Sequence, residues 1–142
     1  MRSLLDVNVL LALLDADHVD HERARDFLDQ EIAHGWASCP ITQNGFVRII
    51  SQPRYPSPVA PSLAVERLRH ACATPHHAFW PCDFSLLDPE IVDAALLHGP
   101  RQITDAYLLA LAVRHRARFV TFDQSVPLHA VVGSTPDHVL VL

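Results

Sequence analysis

Three aspartates stand where the sequence makes a charge costly to bury. Asp6 interrupts the apolar run Leu4–Leu14, Asp105 is the only carboxylate of residues 104–115, and Asp123 follows a strongly apolar segment. A carboxylate in such surroundings must cap a helix, pair with a cation or bind a metal ion. Carboxylates that meet raise one another's pKa until a divalent cation relieves the repulsion. Mg²⁺ or Mn²⁺ suits such oxygen ligands, and would activate a water for attack on a phosphodiester.

The elements around these aspartates predict that they meet. Residues 2–5 and 118–122 have the apolar composition of buried strands, so that Asp6 and Asp123 each follow a strand's carboxyl end. Asp105 opens a helix predicted over residues 104–115. Open α/β sheets bind ligands at the carboxyl edge of their strands. If the two strands are neighbours, the three carboxylates converge on one point.

Each aspartate also has a purely structural explanation. Asp6 suits the N-cap of the helix predicted over residues 7–14, Asp105 suits the positive end of a helix dipole, and Asp123 suits a turn. Only the conjunction of all three favours a metal site.

The remaining pattern predicts strands and helices that follow one another along one α/β chain. This order is typical of a central parallel β-sheet with helices on both faces. Prolines 53, 56, 58 and 61 predict a stiff loop over residues 52–62. Asp17, Thr42 and Thr104 are the expected N-caps of their helices. Further strands are predicted at 36–39, 78–80 and 138–142, and further helices at 17–34, 41–51, 62–73 and 89–97.

Length and composition indicate one globular domain. The chain has 142 residues, of which 49% are hydrophobic and 19% charged. No secretory signal or membrane-spanning run is recognisable, which predicts a cytoplasmic protein. The three cysteines form no CxxC pair, so that neither a disulfide framework nor a zinc knuckle is expected.

The cationic residues exclude several kinds of chemistry. All eleven are arginine, so any mechanism that requires a lysine is ruled out. The segment Asp6-Val7-Asn8 resembles the nucleophile loop of phospho-aspartyl phosphatases, but those enzymes usually need a lysine, which makes this alternative the weaker one. The net charge of -5 does not indicate a general nucleic-acid binder, although local arginine clusters could contact phosphates.

Three segments resemble the motif blocks of PIN-domain ribonucleases, and more narrowly those of VapC toxins from VapBC toxin–antitoxin systems, the mycobacterial set in particular. They are Leu5–Leu13, Thr104–Ala112 and Val120–Asp123.

The resemblance implies one PIN domain over residues 1–142, with Asp6, Asp105 and Asp123 as metal-site positions and Asn8 as the small polar position that orients water or phosphate. It also implies a Mg²⁺-dependent endoribonuclease that cleaves cellular RNA, inhibits translation and growth, and is neutralised by a cognate VapB-type antitoxin. A homodimer that meets DNA only through its antitoxin is implied as well.

One position departs from the family pattern. Many members carry a glutamate in the helix after the second strand, where this chain has Gly45. Gln43 or Asn44 could offer a neutral oxygen instead, or the chain could be an RNA-binding module with weakened catalysis. Glycine within a helix costs roughly 0.5–1 kcal/mol relative to alanine, which indicates a close approach at this position. We expect position 45 to face the carboxylates, so that Gly45→Glu would tighten metal binding.

Overall fold

The computed structural model describes residues 1–142 and contains five strands and five α-helices. All strands are parallel, in the order β3-β2-β1-β4-β5, which confirms the predicted α/β class. The elements are β1 (Ser3–Leu5), α1 (Val7–Leu14), α2 (His21–Glu31), β2 (Trp36–Ser38), α3 (Pro40–Ile50), α4 (Pro61–Cys72), β3 (His77–Phe79), α5 (Ile103–Arg114), β4 (Arg118–Thr121) and β5 (Val139–Val141).

Strand β1 lies at the centre of the sheet, between β2 and β4. Leu4 is in register with Ala37 on one side and Phe119 on the other, and Leu5 is in register with Val120. All three residues of β1 are buried, as expected for a parallel strand covered on both faces. The strands that precede Asp6 and Asp123 are therefore direct neighbours.

The two faces of the sheet carry different helices. Leu5 and Val120 belong to a core cluster that includes residues of α1, α3 and α4, whereas Leu4 and Phe119 belong to a second cluster dominated by α5. Helix α5 buries seven of its twelve residues, which explains why its sequence is apolar on nearly all sides. Helices thus cover both faces, as the sequence predicts.

The prediction of a helix over residues 89–97 is wrong, because this segment contains only one 3-10 turn, Ala94–Leu96. Val92 forms an isolated antiparallel bridge with Val131, and the Asp93 N–H donates to the Ala130 carbonyl at 2.8 Å. These long-range hydrogen bonds use backbone groups that a helix would pair internally.

The three predicted N-caps are also wrong. Tight turns follow Asp17, so that α2 begins only at His21, and α5 begins one residue before Thr104, after a 3-10 turn. Thr42 lies inside the first turn of α3, where its hydroxyl oxygen accepts a hydrogen bond from the Cys39 N–H at 3.0 Å. It therefore stabilises the same helix start from a different position.

No helix is both long and apolar enough to cross a membrane. The three cysteines are free thiols.

Candidate metal centre

Asp6 lies between the end of β1 and the start of α1, at the carboxyl edge of the sheet. Its Oδ1 accepts a hydrogen bond from the Val7 N–H at 2.7 Å, and it is the N-cap residue of α1. Its Oδ2 accepts from the Thr121 hydroxyl at 2.6 Å. Burial raises the pKa of Asp6, these two hydrogen bonds oppose the rise, and the charge of Asp123 adds to it. Capping and membership of an acidic site are thus combined in one side chain.

Thr121, the last residue of β4, connects the polar groups of this edge. Besides donating to Asp6, its hydroxyl oxygen accepts from Asn8 Nδ2 at 3.1 Å and from the Asp123 N–H at 3.0 Å. Asn8 Oδ1 accepts from the Phe122 N–H at 3.3 Å. Both ends of the Asn8 amide are therefore bonded to the β4 end, where they hold Thr121 in place.

Asp123 is held by the loop that follows it. Its Oδ1 accepts hydrogen bonds from the Ser125 N–H at 2.8 Å and the Ser125 hydroxyl at 2.7 Å. These bonds are the main reason that the pKa of Asp123 is lowered, and the nearby positive charge of Arg101 lowers it further. Asp123 is therefore ionised and oriented.

Asp105 differs from the other two aspartates, because its carboxylate makes no hydrogen bond although the residue is only 8% exposed. Burial raises its pKa to about 7, and the negative charges of Asp6 and Asp123 contribute to this rise. The structure thus brings the three predicted residues into one electrostatic cluster at the sheet edge.

The residues present fit a divalent cation in their chemistry. No three His, Cys, Asp or Glu side chains are grouped at metal-ligand spacing as they stand. The donor set nevertheless consists of carboxylate oxygens alone, and Asp105 is a buried acid that lacks both a hydrogen-bond donor and a counter-ion. A carboxylate can accept about four hydrogen bonds, so that Asp6 and Asp123 keep lone pairs for a further ligand. Hard cations such as Mg²⁺ prefer these oxygens.

The family model of the PIN domain matches residues 3–131. The chain belongs to the PIN-domain family, in its VapC branch. Ribonuclease VapC44 of Mycobacterium tuberculosis is 62% identical over the full length of both chains. Ribonuclease VapC39 of the same species is 38% identical, over 94% of this chain and 96% of that one. Among solved structures, the fold is similar to that of a chain in the crystal structure of VapBC2 from Rickettsia felis bound to a DNA fragment from the promoter of the pair. The TM-score is 0.59 and the identity 12%, over 87% of this chain and 89% of the other.

The structure shows the close approach expected at Gly45, the position at which this PIN domain departs from its family pattern, and the approaching residue is Val7. A Cβ atom added there would lie 2.5 Å from Val7 Cγ2, because α3 packs closely against α1. A glutamate at this position would displace Val7 and does not simply extend the acidic cluster. Gln43 instead donates from Nε2 to Ser38 Oγ at 3.0 Å, and neither Gln43 nor Asn44 is hydrogen-bonded to the three aspartates.

The sequence reasoning assigned no role to two residues of this edge, Thr121 and Ser125. Both lie two residues from Asp123, and a signal for each was present. Asp-x-Ser is a pattern in which the aspartate side chain accepts from the backbone two residues on. A threonine that ends an otherwise apolar buried strand is a polar group that needs a partner.

Proposed function

We propose that this chain acts as one PIN domain over residues 1–142 and is a divalent-metal-dependent endoribonuclease, the toxin component of a toxin–antitoxin pair. The observation that carries the proposal is the unpartnered carboxylate of Asp105, with its pKa raised to about 7, beside Asp6 and Asp123. Relatives that match 94% or all of this chain are named ribonucleases, which supports RNA as the substrate.

In this proposal Asp6, Asp105 and Asp123 are the ligands of one Mg²⁺ ion, or of Mn²⁺ instead. The bound ion would supply an activated water and neutralise charge that develops on the phosphodiester. The hydroxyl of Thr121 fixes the orientation of Asp6, and Ser125 fixes that of Asp123. Asn8 acts through Thr121, since its amide is engaged with the end of β4. Asp105 is left free to turn towards the ion.

The experiment is an RNA-cleavage assay with Mg²⁺, with Mn²⁺ and with EDTA. Asp123→Asn keeps the side-chain shape but removes a charge, so that we expect cleavage to be lost. Asp137→Asn makes the same change at an exposed residue outside the cluster and should cleave as the wild type does. Absence of divalent-dependent cleavage by the wild type would refute the proposal and favour an RNA-binding module without catalysis.

A groove between α1, α2 and α4 supports the proposal of an antitoxin partner. It has a volume of about 280 Å³, and its apolar wall includes Leu10, Leu13, Leu14, Leu28 and Ile32. Such a groove suits the apolar face of a partner helix. We propose that a cognate VapB-type antitoxin covers it, places a basic side chain among the aspartates, and makes the DNA contacts of the complex. Light scattering of the chain alone and with its antitoxin tests this partner and the expected homodimer.

A further inference from the structure

A cavity of about 530 Å³ lies next to the loop that follows Asp123. Pockets that bind small organic groups typically have roughly 300–1,000 Å³. Ser125 forms part of its wall and also bonds to Asp123, so that the cavity and the cluster share one residue. The proposed metal ligands do not use this cavity.

The side chain of Gln102 links two segments of the cavity wall, one of which is the loop that follows Asp123. Gln102 Nε2 donates to the Ser125 carbonyl at 3.3 Å, and its Oε1 accepts from the His98 N–H at 2.8 Å. Each end of this amide keeps one hydrogen-bonding position unused. Four apolar residues line the cavity, Leu96, Val126, Leu128 and Ala130, and two exposed histidines, His98 and His129, line it as well. An apolar surface of this size beside a few polar groups suits a heterocyclic base.

Arg101 places a positive charge near Asp123, on the part of the cluster that adjoins the cavity. It precedes Gln102 in the 3-10 turn that leads into α5. Its side chain is exposed and takes part in none of the ion pairs of the chain, which involve Arg23, Arg69, Arg114 and Arg118. Its charge nevertheless reaches Asp123. A free guanidinium at the border of an acidic site suits an anion such as a phosphate, which it binds through paired N–H donors.

We propose that this cavity receives one base of a single-stranded RNA segment next to the cleaved phosphodiester, while Arg101 binds a neighbouring phosphate. The proposal rests on the ribonuclease function proposed above. Bases become accessible to such a cavity only where RNA is unpaired, because stacking and pairing hide them in a duplex. The imidazoles would stack on the base, and the Gln102 amide would read its polar edge.

The phosphate contact is tested by RNA binding in EDTA, where no cleavage interferes. Fluorescence anisotropy of a labelled single-stranded RNA is measured over a range of salt concentrations for the wild type, Arg101→Ala and Arg54→Ala. Arg54 is an exposed arginine of the proline-rich loop and gives a matched loss of charge. We expect Arg101→Ala to reduce the slope of log affinity against log salt by about 0.7, the value for one phosphate contact to a single strand. An unchanged slope in Arg101→Ala, or an equal reduction in Arg54→Ala, would overturn the phosphate contact.

The base contact is tested by sequencing the cleavage products of a random single-stranded RNA pool with Mg²⁺. We expect the wild type and His70→Ala, an exposed histidine of α4, to share a preference at one nucleotide beside the cut. The double variant His98→Ala/His129→Ala should lose that preference at least tenfold and raise KM. Retention of the preference in the double variant, or its absence from the wild type, would overturn the base site. If the wild type cleaves no RNA, the proposed function fails instead, and the salt slope still decides the role of Arg101.

Discussion

Asp105→Asn should stabilise the metal-free protein, although it removes a proposed catalytic group. The pKa of Asp105 is raised from 3.8 to about 7. Raising the pKa by about 3 lowers the free energy of unfolding by at most about 4 kcal/mol at pH above 8, where the carboxylate is ionised in the folded protein. This is the largest gain that an uncharged residue could give. Two effects reduce this limit. Water and salt reach one side of the carboxylate and screen its charge. The variant also loses the favourable interaction of that charge with the N-terminus of α5, worth roughly 0.5 kcal/mol. We therefore expect a net gain of about 2 kcal/mol for the variant, or about 6 °C in Tm.

The sign of the pH dependence follows from the direction of the shift. Between pH 3.8 and about 7 the folded protein binds a proton at Asp105 that the unfolded chain has released. The contribution of Asp105 to stability is therefore fully present below pH 3.8 and is lost as the pH rises through about 7. The advantage of Asp105→Asn should be small near pH 4, grow steadily as the pH rises towards 7, and be complete near pH 8. Mg²⁺ should reverse the order, because a cation that binds only the folded wild type stabilises it by mass action.

Thermal melts near pH 4 and near pH 8, with EDTA and with Mg²⁺, measure all of these effects. Asp137→Asn is the matched control, since it makes the same change at an exposed residue. A metal-free Asp105→Asn that is less stable than the wild type at pH 8 would refute the reasoning. In that case the carboxylate would have a stabilising partner, and the electrostatic case for a cation site would fail.

Four further outcomes are expected. Asp6→Asn should abolish RNA cleavage while changing stability by less than about 1 kcal/mol, because asparagine caps a helix nearly as well; cleavage assays with circular dichroism check this, and retained cleavage would exclude Asp6 from the site. Thr121→Val should lower the free energy of unfolding, measured in urea, by about 1–3 kcal/mol and should slow RNA cleavage, because Asp6 and Asn8 lose their shared hydrogen-bond partner. A variant with wild-type stability and activity would contradict the role given to this hydroxyl. Gly45→Ala should destabilise the fold by about 1–3 kcal/mol through its clash with Val7, and Gly45→Glu by more; calorimetric Mg²⁺ titration of folded Gly45→Glu should show no tighter binding, and tighter binding would restore the original expectation. Leu28→Asp should prevent antitoxin binding in light scattering without loss of cleavage, whereas an intact complex would place the antitoxin elsewhere.

The sequence predicts well those parts of the fold that depend only on residues close together in the chain. Each of the five strands lies within one residue of its predicted bounds, because short apolar segments between turn residues leave few alternatives. The pairing of β1 with β4 follows from the same pattern, and it brings the region of Asp6 next to that of Asp123.

The parts that sequence reasoning missed depend on contacts between distant residues. Residues 89–97 have the composition of a helix, but the bridge from Val92 to Val131 spans 39 positions and cannot be inferred from a local window. The orientation of α3 depends on how closely it approaches α1, so that the surroundings of Gly45 became clear only from the position of Val7.

The three aspartates are held unequally, and this inequality has a physical consequence. Asp6 and Asp123 are oriented by hydrogen bonds from Thr121 and Ser125, whereas Asp105 has none. A site in which all three were satisfied internally would be more stable, but its lone pairs would already be occupied and a cation would gain little by entering. Because Asp105 receives no hydrogen bond from the protein at the start of α5, the folded protein keeps part of its electrostatic repulsion until a cation arrives. The core of α5 and the parallel sheet must therefore be stable enough to tolerate that repulsion, and the site lies where the buried strands β1 and β4 end against this core.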